Sequence, residues 1–142
     1  MRLLASTDFS LRLLMHLAQR QSAAPGAAPV STQVLAEAIA VPRNHVHKIV
    51  QDLAEAGFVR TFRGPQGGVT LARDPAAIAV GAVVRHLEAN QAIVECFRPD
   101  GGTCCLTPGC RLRTALAHAQ HTFLASLDTV TIADCLPTPA DG

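Results

Sequence analysis

The chain has 142 residues, 49% of them hydrophobic, and its lack of Trp and Tyr predicts a core and helix interfaces built from Leu, Val, Ala and Ile. It has no run of 18 apolar residues, and polar residues interrupt the N-terminal MRLLASTDFSLRLL, so neither a membrane span nor a secretory leader is expected and a cytoplasmic protein is. The net charge of +1 hides a division: residues 1–73 hold eight Arg/Lys against four Asp/Glu, and residues 74–142 hold four against seven, which makes the front half the part suited to a phosphate backbone.

Ser6, Thr7 and Asp8 are capping residue types ahead of an apolar stripe, Phe9, Leu13, Leu14 and Leu17, which predicts a helix over about Thr7–Arg20. Ser22–Ser31, SAAPGAAPVS, has no period and reads as a surface loop. From Thr32 the spacing is helical, with Val34, Leu35, Ala38 and Ile39 on one face. Val41-Pro42 closes that helix, and a second runs through Glu55 on a stripe of Val46, Ile49, Val50 and Leu53. Two short helices with a tight joint make a helix-turn-helix.

Off the buried stripe, at the N-terminal part of the second helix, lie Arg43, Asn44, His45, His47 and Lys48. A helix-turn-helix reads base edges from that position, where Arg suits guanine and Asn suits adenine. On an isolated helix the same residues could equally be plain solvated groups. The chain beyond Glu55 favours double-stranded DNA: Gly57 fits a helix C′ position, Phe58–Arg63 alternates as a strand does, Gly64–Gly68 turns the chain and Val69–Leu71 returns. This hairpin is a wing, with Arg60 and Arg63 near its tip.

Beyond Pro75, the residues Val80, Val83, Val84 and Leu87 predict a helix over about Val80–Glu88. The next segment, ECFRPDGGTCCLTPGC, spaces Cys96, Cys104 and Cys110 as C-x7-C-x5-C. Pro99, Gly101, Gly102 and Pro108 keep it out of any regular core element, and thiolates collected in such a loop suit zinc or iron–sulfur chemistry. Five cysteines is an odd count, and in a reducing compartment metal ligation is a better use for them than disulfides. Three thiols leave a four-coordinate site one ligand short.

Pro108 lies near the start of a long helix carrying Leu112, Leu116, Ala119, Phe123 and Leu127, which needs a partner surface that a second copy in a homodimer would supply. Thr131–Leu136 forms a short last helix and Pro137–Gly142 a tail. Cys135 reads as a small buried hydrophobe, and His86, His118 and His121 as solvated or packing residues. The expected fold is mainly α: a winged helix-turn-helix with a two-stranded β wing over residues 1–73, then a cysteine loop and a long C-terminal dimerisation helix over residues 74–142. No catalytic constellation is visible.

STDFSLRLL, VPRNHVHKIVQDLAEAGFVRTFRGPQGGVTLAR, VGAVVRHLE and the loop ending LTPGCRL together resemble, over nearly the whole chain, a family of dimeric winged-helix regulators. That family includes the nitric-oxide-sensitive NsrR-type repressors and the cluster-biogenesis regulator IscR, and the shared wing motif is Arg63-Gly64 with Gly67-Gly68. The resemblance implies that Cys96, Cys104 and Cys110 ligate an iron–sulfur cluster and that Thr32–Glu55, with the wing through Gly64, reads operator DNA. It also implies that Asp8 of the partner subunit completes a [4Fe–4S] form, favoured over [2Fe–2S], with nitric oxide as the signal. From sequence alone Asp8 reads as a helix cap.

IscR-like members carry a histidine three residues after the last cysteine, and here that position is Arg113. The gap after Cys96 is longer than the family usually shows, and Cys105 is an extra thiol. Cys104 is preferred because its spacing to Cys110 matches the family pattern. Two rivals do without iron and sulfide: a zinc-stabilised module in which the same cysteines hold the metal and DNA binding is constitutive, and a thiol-disulfide switch that uses Cys104, Cys105 or Cys110.

Overall fold

Five helices and one hairpin succeed one another in the computed structural model, which describes residues 1–138. They are α1 (Ala5–Ala23), α2 (Thr32–Ile39), α3 (Arg43–Glu55), β1 (Val59–Phe62), β2 (Gly68–Leu71), α4 (Val80–Leu87) and α5 (Arg111–Asp128). Single 3₁₀ turns lie at Pro75–Ala77, Glu95–Phe97 and Ala133–Cys135. The expected last helix is only the third of these turns. Of the expected tail, residues 139–142 lie outside the described residues.

The first helix starts earlier than its sequence suggests. Leu4 occupies the cap position with no side-chain cap bond, so Ser6, Thr7 and Asp8 all lie inside the helix, Asp8 in its first turn. The carboxylate of Glu88, just past the end of α4, does the work of a cap: one oxygen accepts from the Leu4 N–H at 2.8 Å and from the Thr7 hydroxyl at 2.6 Å. That acceptor is 84 residues from Leu4, where no local capping rule looks for it. Leu13, Leu14, Leu17 and Ala18 bury the inner face, and Phe9 is half-buried against the core.

Ser31 caps α2 by accepting from the Val34 N–H at 3.2 Å. The face it buries is Leu35, Ala36 and Ile39; the expected Val34 and Ala38 are exposed, so the stripe is turned towards Ala36. Ala40 adopts the left-handed conformation with φ +56°, and Pro42 starts α3. That joint turns the chain between the two helices. α3 buries Val46, Ile49, Val50 and Leu53 as its spacing predicts.

β1 and β2 pair antiparallel from Val59↔Leu71 to Phe62↔Gly68. Val30 adds a one-residue bridge on the other edge of β2, exchanging bonds of 3.0 and 2.8 Å with Val69. Gly68 packs so closely on the Val30 carbonyl that a Cβ there would lie 2.5 Å from its oxygen. Arg73 fastens the hairpin's base to the end of α3, donating to the carbonyls of Gly57 and Ala56 and lying 5.0 Å over the Phe58 ring. Buried residues from α1, α2, α3, the hairpin and α4 form one apolar cluster that also takes in Ile78 and Ile132. Backbone bonds Val80–Val130 and Ile132–Ile78 tie the segment after α5 to the start of α4.

Candidate functional site

The first region is the helix-turn-helix with its wing, the candidate DNA reader. Arg43, Asn44 and His45 form the first turn of α3, His47 and Lys48 come next, and all five are exposed while Val46 between them is fully buried. The period of the helix therefore separates a packed stripe from a polar face presented to solvent. Lys48 is paired with Asp52 at 3.0 Å, and the hydrogen bond it donates to that carboxylate raises its pKa. Reaching a phosphate means exchanging this exposed pair, which costs little. Thr32, at the first position of α2, is half-buried.

In the wing, Arg63 and Gly64 lead the turn and are exposed, Gly64 with φ +98°. Arg60 is not at the tip. It faces Thr70 one rung from the hairpin's base, with its side chain exposed. Phe62, which nothing in the sequence pattern singles out, is 49% exposed beside Arg63.

The second region is the cysteine loop. Cys96, Cys104 and Cys110 are half-buried free thiols, and Cys105 is exposed. Cys96 lies in the Glu95–Phe97 turn, whereas Cys110 occupies the cap position of α5 with no side-chain cap bond. Two contacts fasten the loop. Glu95 accepts from the Thr103 N–H at 3.1 Å and from its hydroxyl at 2.8 Å, and these bonds, the hydroxyl's first, hold the Glu95 carboxyl below the ordinary range. Arg113, from the first turn of α5, lies 5.3 Å over the ring of Phe97. The first contact joins the neighbours of Cys96 and Cys104, and the second joins the Cys96 turn to the helix that Cys110 caps.

Asp8 makes its side-chain hydrogen bonds to Arg12 rather than to this loop. Its carboxylate pairs with Arg12 at 2.6 Å on the exposed side of α1, so it is not the cap that the sequence suggested. Among the described residues of one chain, no three His, Cys, Asp or Glu side chains are gathered closely enough to hold a metal ion. The chemistry of the thiols still suits a soft or borderline metal centre. Of the other residues weighed from sequence, Cys135 is half-buried against the core, His86 meets the Phe58 ring edge-on at 6.3 Å, and His118 and His121 are exposed.

The profile of the Rrf2 family, described as an iron-dependent transcriptional regulator, matches residues 3–138. The chain belongs to the Rrf2 family. Among its Rrf2 relatives, the HTH-type transcriptional regulator NsrR of Geobacillus kaustophilus is 42% identical over 136 residues, covering 96% of this chain and 90% of that protein. The NsrR of Bacillus subtilis is 38% identical over 141 residues, 99% of this chain and 94% of that one. The solved structure of T. potens IscR superposes with a TM-score of 0.70 at 24% identity, covering 95% of this chain and 85% of that one, and so bears on the fold alone. This Rrf2 chain is therefore a winged-helix transcriptional regulator, mainly helical with a two-stranded wing. Among the described residues, no helix is long and apolar enough to cross a membrane.

Proposed function

We propose that this Rrf2 regulator is a cytoplasmic, homodimeric repressor whose grip on operator DNA depends on an iron–sulfur cluster and is released by nitric oxide. Residues 1–73 would read the operator, and residues 74–142 would hold the cluster and pair the subunits. The observation that carries the reading is the placement of Cys96, Cys104 and Cys110, all half-buried, in one irregular segment leading into α5 on a winged-helix scaffold. Support comes from the relatives named NsrR, which match nearly the whole chain.

In this reading the three thiolates and Asp8 of the partner subunit hold the cluster, in its [4Fe–4S] form rather than [2Fe–2S]. When bound, the cluster supplies an iron whose carboxylate ligand is harder and more labile than thiolate, the natural point of entry for a small diatomic molecule. Arg12 orients Asp8 through two bonds, and ligation needs only one carboxylate oxygen, so one of those bonds can persist. Because α1 is pinned by Glu88 beyond the end of α4, a load on Asp8 is carried into the same subunit's core. A cluster shared between α1 of one subunit and the loop of the other would set how far apart the two α3 helices stand. Two-fold operators present half-sites about 34–36 Å apart, so relaxing that constraint weakens binding.

The test is anaerobic purification with iron and acid-labile sulfide assays, then nitric oxide titration with the visible spectrum and operator binding read in parallel. The expected result is a coloured protein that loses its operator as the spectrum bleaches. Colourless protein carrying zinc would establish the structural-metal alternative. Metal-free protein whose DNA binding responds to peroxide would establish the thiol switch. Equal affinity of apo- and holo-protein would end the coupling, since an effector without differential affinity shifts nothing.

A further inference from the structure

We propose that Glu95 is a positioning residue for the thiolates: its clasp on Thr103 closes the seven-residue gap after Cys96 and makes Cys104, not the adjacent Cys105, the second ligand. This inference rests on the iron–sulfur reading.

The gap is wound rather than slack. Arg98 pairs with Asp100 at 2.7 Å, the Gly101 N–H donates to the Arg98 carbonyl at 2.9 Å, and the Gly102 N–H donates to the Asp100 carboxylate at 3.0 Å. Gly102, with φ +60°, lies against Glu95 so closely that a Cβ there would be 2.5 Å from the Glu95 Cγ and 2.7 Å from its carbonyl oxygen. One oxygen of Glu95 then accepts both the backbone and the hydroxyl of Thr103. The residue after each half of this clasp is a cysteine: Cys96 comes after Glu95, and Cys104 after Thr103.

The chain needs such a device because chain entropy alone cannot choose between vicinal thiols. Closing a loop with one more residue changes its entropy very little, so in a slack gap Cys104 and Cys105 would compete nearly evenly. The clasp fixes the backbone up to residue 103. One residue on, Cys104 is half-buried; two residues on, Cys105 is exposed. Partners that orient ligands from outside the coordination shell commonly change metal affinity by about 10–100-fold.

The experiment uses full-length protein purified anaerobically, with Glu95→Gln, Glu95→Ala and Thr103→Val each made alone and combined with Cys104→Ser or Cys105→Ser. Iron retention against a ferrous chelator is measured, and alkylation of the loaded protein with peptide mass analysis shows which thiol is protected. With Glu95 intact, Cys105→Ser should retain iron normally and Cys104→Ser should retain it about tenfold less well. Glu95→Ala and Thr103→Val should narrow that difference towards parity and let Cys105 become protected. Glu95→Gln keeps an acceptor oxygen and should keep the wild-type preference, which a merely structural account of the charge does not predict. Thermal unfolding confirms that each variant is folded. Wild-type protein without iron and sulfide overturns the iron–sulfur reading, and this proposal with it. A wild type that loads, with Glu95→Ala keeping the full preference or Glu95→Gln losing it, overturns the proposal alone.

Discussion

Asn44 and Arg63 are both exposed, yet in the proposed complex with DNA their surroundings suit them to different tasks. Asn44 sits in the first turn of α3, where a side chain reaches base edges, whereas Arg63 opens a glycine-rich turn, where a cation meets phosphate or the minor groove. Replacing Arg63 by Ala should therefore weaken binding to all sequences nearly alike and lower the salt slope by about 1. Replacing Asn44 by Ala should leave the salt slope in place and remove about 1–3 kcal/mol of discrimination at one base pair. Binding isotherms on matched and mutated operators at several salt concentrations separate the two. If both substitutions gave the same uniform loss, α3 would not be reading bases.

The crossing of α4 and α5 shows how an element is held at a point where the sequence signals nothing. Gly81 lets the chain at Asp128 approach so closely that a Cβ on it would lie 2.7 Å from the Asp128 backbone nitrogen. Arg85, one turn further along α4, then grips both Asp128 oxygens at 3.1 and 2.9 Å. The hydrogen bond from Arg85, more than its charge, holds the Asp128 carboxyl below the ordinary range. A depressed carboxyl contributes stability that is complete above its unfolded pKa and is lost as pH falls through the folded one. Wild-type protein should thus melt at a higher temperature than Asp128→Asn at neutral pH, and the difference should shrink once pH drops below the usual aspartate range. A difference independent of pH would mean that the pair contributes packing rather than charge. The stripes of α1, α3 and α4 were legible because burial imposes a period on the sequence, as Val46, Ile49, Val50 and Leu53 show. Long-range hydrogen bonds impose none. That is why Glu88 at the start of α1 and Glu95 in the cysteine loop went unread, while the cysteines themselves, recognisable by type and spacing, did not. Ala40 escaped for a related reason, since a left-handed joint is signalled by Gly or Asn and here the chain uses alanine.

At the scale of the molecule, α5 is the unfinished part. Its 18 residues span roughly 27 Å, yet none is buried within one chain. Phe123, Leu124 and Leu127 lean on the core, while Leu112, 64% exposed, and the exposed Ala115 and Ala119 continue an apolar stripe left uncovered among the described residues. Most helical stability in proteins comes from packing of an amphipathic face, so a stripe of this kind gains its stability from a surface that covers it. A second copy meets that need by symmetry, and it also doubles the reading heads. The substitutions Leu112→Asp and Ala119→Asp fall on exposed positions, so each subunit should fold as before while charge on the stripe opposes pairing. Sedimentation should then find monomers in place of the proposed homodimer. Operator affinity should fall by about 10²-fold or more, because the second α3 no longer binds at the effective concentration that pairing supplies. A variant that remained dimeric and bound its operator undiminished would place the pairing surface elsewhere and leave the stripe without a role in DNA binding.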